Sequence, residues 1–569
     1  MYIVSVPNRG SAPAILLRES YREDGKVKNR TLANLTHWPA DTVEALQMVL
    51  KGGKVIGSVE DLFEQKEDYH HGHVQAVLAA MRRLDFANLI ASRPSRERDL
   101  VLAMVVARIL EPDTKLATTR WWHVTTLPQE LGVGDATEDD LYAGLDWLLD
   151  HQDGIEKKLA KRHLTGESLV LYDLSSTYVE GTCCPLAKLG HNRDGKKGKL
   201  QINFGLLADR RGCPVGITVY PGNTGDSTTL LDQLTILQEL YGIERIAMVG
   251  DRGMITQKQI DELKEIEGVD WITALKTPAI RKLLDEGFVQ LGLFDERNLF
   301  EFTHPDFPGE RLVACRNPEL AKLRAHKRQD LLAATVRELE TVQRMVASGK
   351  LRGQDVIGVR VGKVINRFKV GKHFEYEITS DSFAFRILDD KVAAEAALDG
   401  IYVIRTSLPQ EVMGTDDAVR NYKSLAGIER AFRSMKTMDL HVRPIHHHLE
   451  NRVRAHIFLC MLAYYVEWHM REAWRSVTFA DEDQESKKTR DPVAPAKRSE
   501  RALAKVQAHK LDDGTQAHSF QTLLKDLSGI VKTIFRRNAA AGPAVKLTMT
   551  TTLSPARKRA LDLVEGITL

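Results

Sequence analysis

Three short apolar runs constrain this chain most: residues 168–174 (SLVLYDL), 245–250 (RIAMVG) and 271–275 (WITAL). Each reads as a strand. Between the first two, residues 204–208 and 215–220 flank the turn Asp209-Arg210-Arg211-Gly212, which reads as a hairpin. Residues 230–241 follow with the period of an amphipathic helix. Strand, hairpin, helix, strand is the order of an α/β domain.

That domain does not account for 569 residues, a length that suggests roughly three to four domains. Residues 1–37 read as strands, with turns at Pro7-Asn8-Arg9-Gly10 and Asp24-Gly25. Residues 42–163 read as helical, with apolar residues at three- and four-residue steps in 74–84 and 98–110. After residue 275 the α/β pattern is interrupted. Residues 318–348 form a long charged helix, and 356–385 are rich in β-branched and aromatic residues. A strand returns at 401–406, followed by a helix at 416–437 and an apolar helix at 452–474. Residues 481–500 read as a solvated linker, and the tail as partly helical and basic. The expected division is an N-terminal β-arm and helical region (1–165), the first part of the α/β domain (166–275), a β-rich insertion with a long helix (276–400), the second part (401–478), and a linker with a basic helical tail (479–569).

Composition narrows the class. With 43% hydrophobic and 28% charged residues the chain is globular rather than disordered. No apolar run approaches the ~20 residues of a membrane span, and the N-terminus lacks a signal core, so a cytoplasmic protein is expected. Cys183, Cys184, Cys213, Cys315 and Cys460 show no CxxC spacing, which excludes a disulfide framework or zinc ribbon. The histidine groups 446–448 and 70–73 have no Cys or acidic partner at ligand spacing and read as structural. No GxxxxGK[ST] loop is present, so ATP dependence is not indicated. Net charge is only +3, so any basic surface for nucleic acid must be local.

Three carboxylates stand out. Asp173 lies inside the first apolar run, where an uncompensated charge costs several kcal/mol. The plain alternative is a strand-end Asp accepting from the backbone of residues 175–177. Asp251 ends the second run between Gly250 and Gly253, at the kind of strand end where ligands collect; the plain alternative is a helix cap near Thr256. Glu429 shares a helical face with Tyr422, Leu425 and Lys436, or else belongs to a partly solvated helix with a Glu/Lys pair. Two Asp on neighbouring strands and a Glu on a covering helix suit a pair of divalent cations ~3.5–4 Å apart.

The order of these segments resembles bacterial insertion-sequence transposases of the DDE class, within the IS-four superfamily and its branch numbered sixteen-thirty-four. The resemblance rests on Tyr172-Asp173-Leu174-Ser175-Ser176-Thr177-Tyr178, on residues 220–226 (YPGNTGD), on Gly250-Asp251-Arg252-Gly253-Met254, on the 422–436 stretch and on residues 443–446 and 450–456. The family signature of Tyr, Arg, Glu and Lys is matched at Tyr422, Glu429 and Lys436, while Leu425 stands at the Arg position. The resemblance implies a ribonuclease-H-like catalytic fold, Mg²⁺ as two ions with Mn²⁺ able to substitute, and DNA transposition. It also implies Asp173, Asp251 and Glu429 as the metal-binding triad. Partners would be double-stranded DNA, as terminal inverted repeats and target, and a second copy or more in the synaptic complex. Two other readings stand beside it. The large insertion argues against another ribonuclease-H-like nuclease, and the three carboxylates argue against a silent DNA-binding descendant.

From 418 to 454, eight Lys/Arg face three Asp/Glu, so phosphate contact is expected there, from Arg430, Arg433 and Lys436 beside Tyr422. The glycine-rich loop 190–199 holds four basic residues and one Asp and reads as a further backbone contact. In hairpin-forming relatives a Trp of the insertion stacks on a flipped base; this insertion has none. Its Phe374, Tyr376, Phe383 and Phe385 read either as stacking residues or as one face of a small core.

Overall fold

A computed structural model describes residues 1–10, 12–53, 63–164, 168–294, 297–537 and 545–568. The expected boundary at 165/166 lies outside the described residues. The chain forms two compact units, Met1–Tyr69 with Val531–Thr552, and His70–Ile530 with Leu553–Leu569. Among the described residues no helix is long and apolar enough to cross a membrane.

In the first unit β1 (Tyr2–Val6), β2 (Ala14–Glu23) and β3 (Lys26–Asn34) form the expected antiparallel arm. Asp24 and Gly25 turn it with φ of 50° and 74°, the left-handed pair that a tight hairpin needs. A second sheet joins β4 (Phe63–His70) to the hairpin Val531–Arg537 and Lys546–Thr550. β4 departs from the helical pattern expected over 42–163, while the tail is partly helical as expected, with helices Glu500–Ala508, Phe520–Ser528 and Pro555–Glu565 in addition to the hairpin. The segment FEQKEDYH is polar and largely exposed, so no apolar period betrays it; only pairing makes it a strand.

The second unit is α/β, as expected. Its central sheet contains β5 (Ser168–Tyr178), β6 (Gln201–Asp209), β7 (Pro214–Pro221), β8 (Ile246–Val249), β9 (Val269–Ala274), β10 (Leu299–Phe302) and β11 (Arg311–Arg316). After a separate hairpin of β12 (Phe374–Ile378) and β13 (Phe383–Ile387), β14 (Ile401–Thr406) completes it. The order is β10-β11-β14-β9-β8-β5-β6-β7. The β5–β6–β7 meander is antiparallel, β5, β8 and β9 are parallel, and β14, β11 and β10 add on antiparallel. Two strands of the central sheet, β10 and β11, therefore come from the segment read as insertion.

The rest of that segment is more helical than its composition suggests. Gln354–Phe368 is a helix, because Ile357, Val361 and Val364 fall at steps of four and three and bury one stripe. They pack with Leu339 and Val342 of the helix Pro318–Ala347 and with Phe374 and Phe383. Phe374 meets Phe385 at 6.2 Å and Phe383 meets Phe385 at 5.8 Å, so these aromatics are the core of a small subdomain.

The helix Glu450–Ala473 packs on β7 and on the helices Arg96–Leu110 and Glu138–Asp150, and it is buried on nearly every side. Residues 481–500 are largely exposed, as expected of a linker, but they dock at Pro492 and Val493. Val493 is fully buried, and Asn317 Nδ2 and Lys423 Nζ donate to its carbonyl at 3.1 and 3.3 Å. Side chains from elsewhere in the unit, donating to the carbonyls of Arg490 and Val493 and to Asp491, pin this part of the segment.

Candidate active site

β5 and β8 run parallel, with Leu171 opposite Val249. β8 stops there, while β5 continues to Tyr178. Asp173 and Asp251 each stand two residues beyond that pair, so the parallel register brings them to one edge. Asp251 Oδ1 accepts from the N–H groups of Gly253 (2.8 Å) and Met254 (2.7 Å), which closes the turn after β8. Asp251 therefore closes its own turn with one oxygen rather than capping the helix Gln257–Leu263, whose N-cap is Thr256, and it remains exposed. Asp173 Oδ1 accepts from Leu174 N at 2.8 Å rather than from residues 175–177.

Burial pushes the Asp173 carboxyl up to about 7, and the neighbouring Asp251 adds to the shift; the nearby Arg193 opposes it. Two carboxylates at one edge disfavour a second negative charge.

The helix that carries Glu429 covers the Asp173 face of the sheet. Ser175 pairs with Phe204 and Asp173 with Leu206, so Asp173 and Phe204 share a face of the sheet. The Phe204 ring meets Phe432 edge-on at 5.5 Å. Phe432 and Glu429 belong to the same helix, Leu425–Arg433, which thus covers the Asp173 face. Close approach at its start uses two glycines: a Cβ on Gly212 would lie 3.2 Å from Gly427 Cα.

The single helix expected over 416–437 is in fact broken. Thr415–Lys423 ends where Ser424 Oγ turns back onto the Asn421 carbonyl, Leu425–Arg433 follows, and Ser434–Met438 is a π-turn. Tyr422 and Glu429 stay neighbours, but Lys436, on the π-turn, does not join them. Tyr422 lies near Asp251 and Glu429, whose charges, together with burial, raise its hydroxyl pKa. Lys436 turns away into an ion pair: it is 8% exposed, and its Nζ lies 3.2 Å from Asp194 Oδ1. Arg430 and Arg433 are exposed.

Sequence reasoning missed the residues that order the 190–199 loop. Asp194 binds Arg443 (2.5 Å) as well as Lys436, and Arg193 pairs with Asp226. Gly190 is required, since a Cβ there would lie 1.9 Å from the Gly222 carbonyl oxygen. The available signal was the lone Asp among four basic residues in this loop. Behind the π-turn, Ser434 Oγ lies 2.8 Å from both a Glu467 and an Asp439 oxygen, and Arg471 bridges those two acids at 2.6 and 2.8 Å.

The donors at this edge are carboxylate oxygens, the chemistry that Mg²⁺ and Mn²⁺ prefer. Asp173's raised pKa marks negative charge that a divalent cation offsets. Among the described residues, the triad is not among the groups of three His/Cys/Asp/Glu donors that close within 4.8 Å; His163, Cys213 and His469 do so instead.

Residues 165–466 match the model of the transposase DDE domain. The chain belongs to this family of DDE transposases: it is a DNA transposase, which cleaves DNA and transfers strands with divalent metal. Its N-terminal residues 3–60 match the IS1634 family transposase N-terminal domain. No curated protein sequence matches the chain. Solved structures similar to it include a piggyBac transposase synaptic complex with hairpin DNA (9% identity, 80% of this chain and 79% of that one, TM-score 0.32). Another is a Mos1 transposase paired-end complex with left transposon end (14% identity, 34% and 62%, TM-score 0.14).

Proposed function

We propose that Asp173, Asp251 and Glu429 are the catalytic, metal-binding carboxylates of this transposase, on a ribonuclease-H-like sheet whose meander is β5–β7 and whose parallel strands are β8 and β9. The observation that carries this reading is the parallel register that sets Asp173 beside Asp251 under the helix bearing Glu429. Two Mg²⁺ ions, or Mn²⁺ in their place, would activate the attacking oxygen and stabilise the leaving one. The chain itself holds Asp251 rigid through its turn, buries Asp173 so that its charge calls for a cation, and supplies Glu429 from above. Arg430 and Arg433, exposed on the same helix, contact the DNA backbone of the element's ends and of the target. Tyr422 contacts the DNA between Asp251 and Glu429. Lys436 acts at the same DNA from behind, by holding the 190–199 loop through Asp194. The working form is a dimer or larger, because one triad serves one end at a time.

The test is cleavage of a labelled transposon end in Mg²⁺ or Mn²⁺. Asp173→Asn, Asp251→Asn and Glu429→Gln should each abolish cleavage and leave end binding intact. Full cleavage by any one of them removes that residue from the site.

A further inference from the structure

The group of donors that does close tightly lies apart from the carboxylates. His163 ends the helix Gln152–His163, Cys213 follows the β6–β7 turn, and His469 is carried by Glu450–Ala473. One ligand atom from each lies within 4.8 Å of the others, and Cys213 Sγ is 3.8 Å from His469 Nε2. Cys213 is fully buried and His469 is 7% exposed.

The local structure aims these groups deliberately. Asp209 Oδ1 accepts from the N–H of Arg211 (2.8 Å) and of Cys213 (2.9 Å), and Gly212 takes φ +83°, which turns the Cys213 thiol inward. His163 Nε2 lies 3.1 Å from the Tyr465 hydroxyl, the kind of outer partner that orients a ligand imidazole and leaves Nδ1 for a metal. Arg211 Nη2 stands 3.5 Å from that Nδ1. Its charge is paired with Asp209 at 2.9 Å and its side chain is 57% exposed, so a metal at Nδ1 displaces only this long contact while the Asp209 pair stays in place. His163 and His469 line a cavity of about 1020 Å³ with Arg162, Arg211, Glu472 and Asp562.

We propose that Cys213, His163 and His469 bind one Zn²⁺, with water in the fourth position toward the cavity. Zinc takes one sulfur at ~2.3 Å and nitrogens at ~2.0–2.1 Å in a tetrahedron, which sets donors roughly 3.3–3.6 Å apart, within a small contraction of this arrangement. A thiolate and imidazoles select zinc over the hard ions of the carboxylate site. Binding exchanges the thiol proton, released to solvent, for the Zn–S bond. The ion ties the helix Gln152–His163 and the helix Glu450–Ala473 to the β6–β7 hairpin of the central sheet.

The test uses the full chain carrying Asp173→Asn, Asp251→Asn and Glu429→Gln, so that the carboxylate site cannot contribute. After chelation and titration with Zn²⁺ alone, elemental analysis should find one zinc per chain, and Co²⁺ alone should give a thiolate-to-cobalt charge-transfer band. Cys213→Ser and His469→Ala should each weaken zinc binding at least tenfold and abolish the band, with circular dichroism reporting that the metal-free variants fold. Substoichiometric zinc, a cobalt spectrum without the thiolate band, or undiminished binding in the two variants overturns the proposal. If the variants do not fold, the cobalt spectrum of the parent decides alone.

Discussion

Asp173 and Asp251 lie side by side because each stands two residues past the paired Leu171 and Val249 of parallel β5 and β8. Neither position is special within its own strand. The register makes them a pair, and β8 ends where the pair needs open space. Asp251 is then locked by the N–H groups of Gly253 and Met254, while Asp173 Oδ1 accepts from Leu174 N.

This pairing sets a pH dependence. Asp173 titrates at about 7, above the usual carboxylate range, so it is protonated below 7 and free to bind a cation above it. The Mn²⁺ concentration for half-maximal cleavage should rise about tenfold per pH unit below 7 and level off above it. Titrations at pH 6, 7 and 8 measure this; a flat response shows that Asp173 is not the group controlling metal uptake.

A second pH effect concerns stability. Glu156 is buried and accepts from Ile217 N, Gln152 Nε2 and the Tyr241 hydroxyl, each at 2.9 Å; burial raises its carboxyl from 4.5 to about 7. Between those values the native state keeps a proton that the unfolded chain releases. Stability therefore falls as pH rises from 4.5 to 7, and the full cost, about 3 kcal/mol, is present above 7. Glu156→Gln carries no such titration. Chemical denaturation at pH 5 and 8 should show the variant gaining on the wild type at the higher pH.

The basic residues should separate by salt dependence. Arg430 and Arg433 are exposed, so replacing either with Ala should lower the slope of log affinity against log salt by about one phosphate contact. Lys436 is committed to Asp194, so Lys436→Ala should leave the slope nearly unchanged and instead loosen residues 190–199, seen as faster amide exchange there. A full unit lost from the slope in Lys436→Ala would return it to direct phosphate contact.

Phe383 packs at 5% exposure in the small core it shares with Phe374, Leu339 and Val361. Phe383→Ala should cost that core about 3–5 kcal/mol, visible as early proteolysis within 318–399. Unchanged proteolysis would mean the ring is available to stack on DNA.

The sequence by itself determined the α/β class and the strands of the central meander. It also marked the three carboxylates, because apolar period, turn residues and charge in an apolar run are local signals. Asp173 and Asp251 stood out as candidates on that basis and Glu429 through its helical spacing from Tyr422, and the N-terminal arm was legible from its turns. Tertiary structure decided what local signals do not carry. The polar β4 is a strand only through its partners, and the β-branched stretch Gln354–Phe368 is a helix because its stripe faces a core. Segment 299–316 joins the central sheet by edge pairing with β14. Lys436 faces Asp194 because Ser424 and the π-turn break a helix whose spacing suggested one continuous face. His163, Cys213 and His469 have no common motif; they meet because a helix end, a hairpin and a central helix converge in space, and only the packed chain brings such distant positions within ligand range.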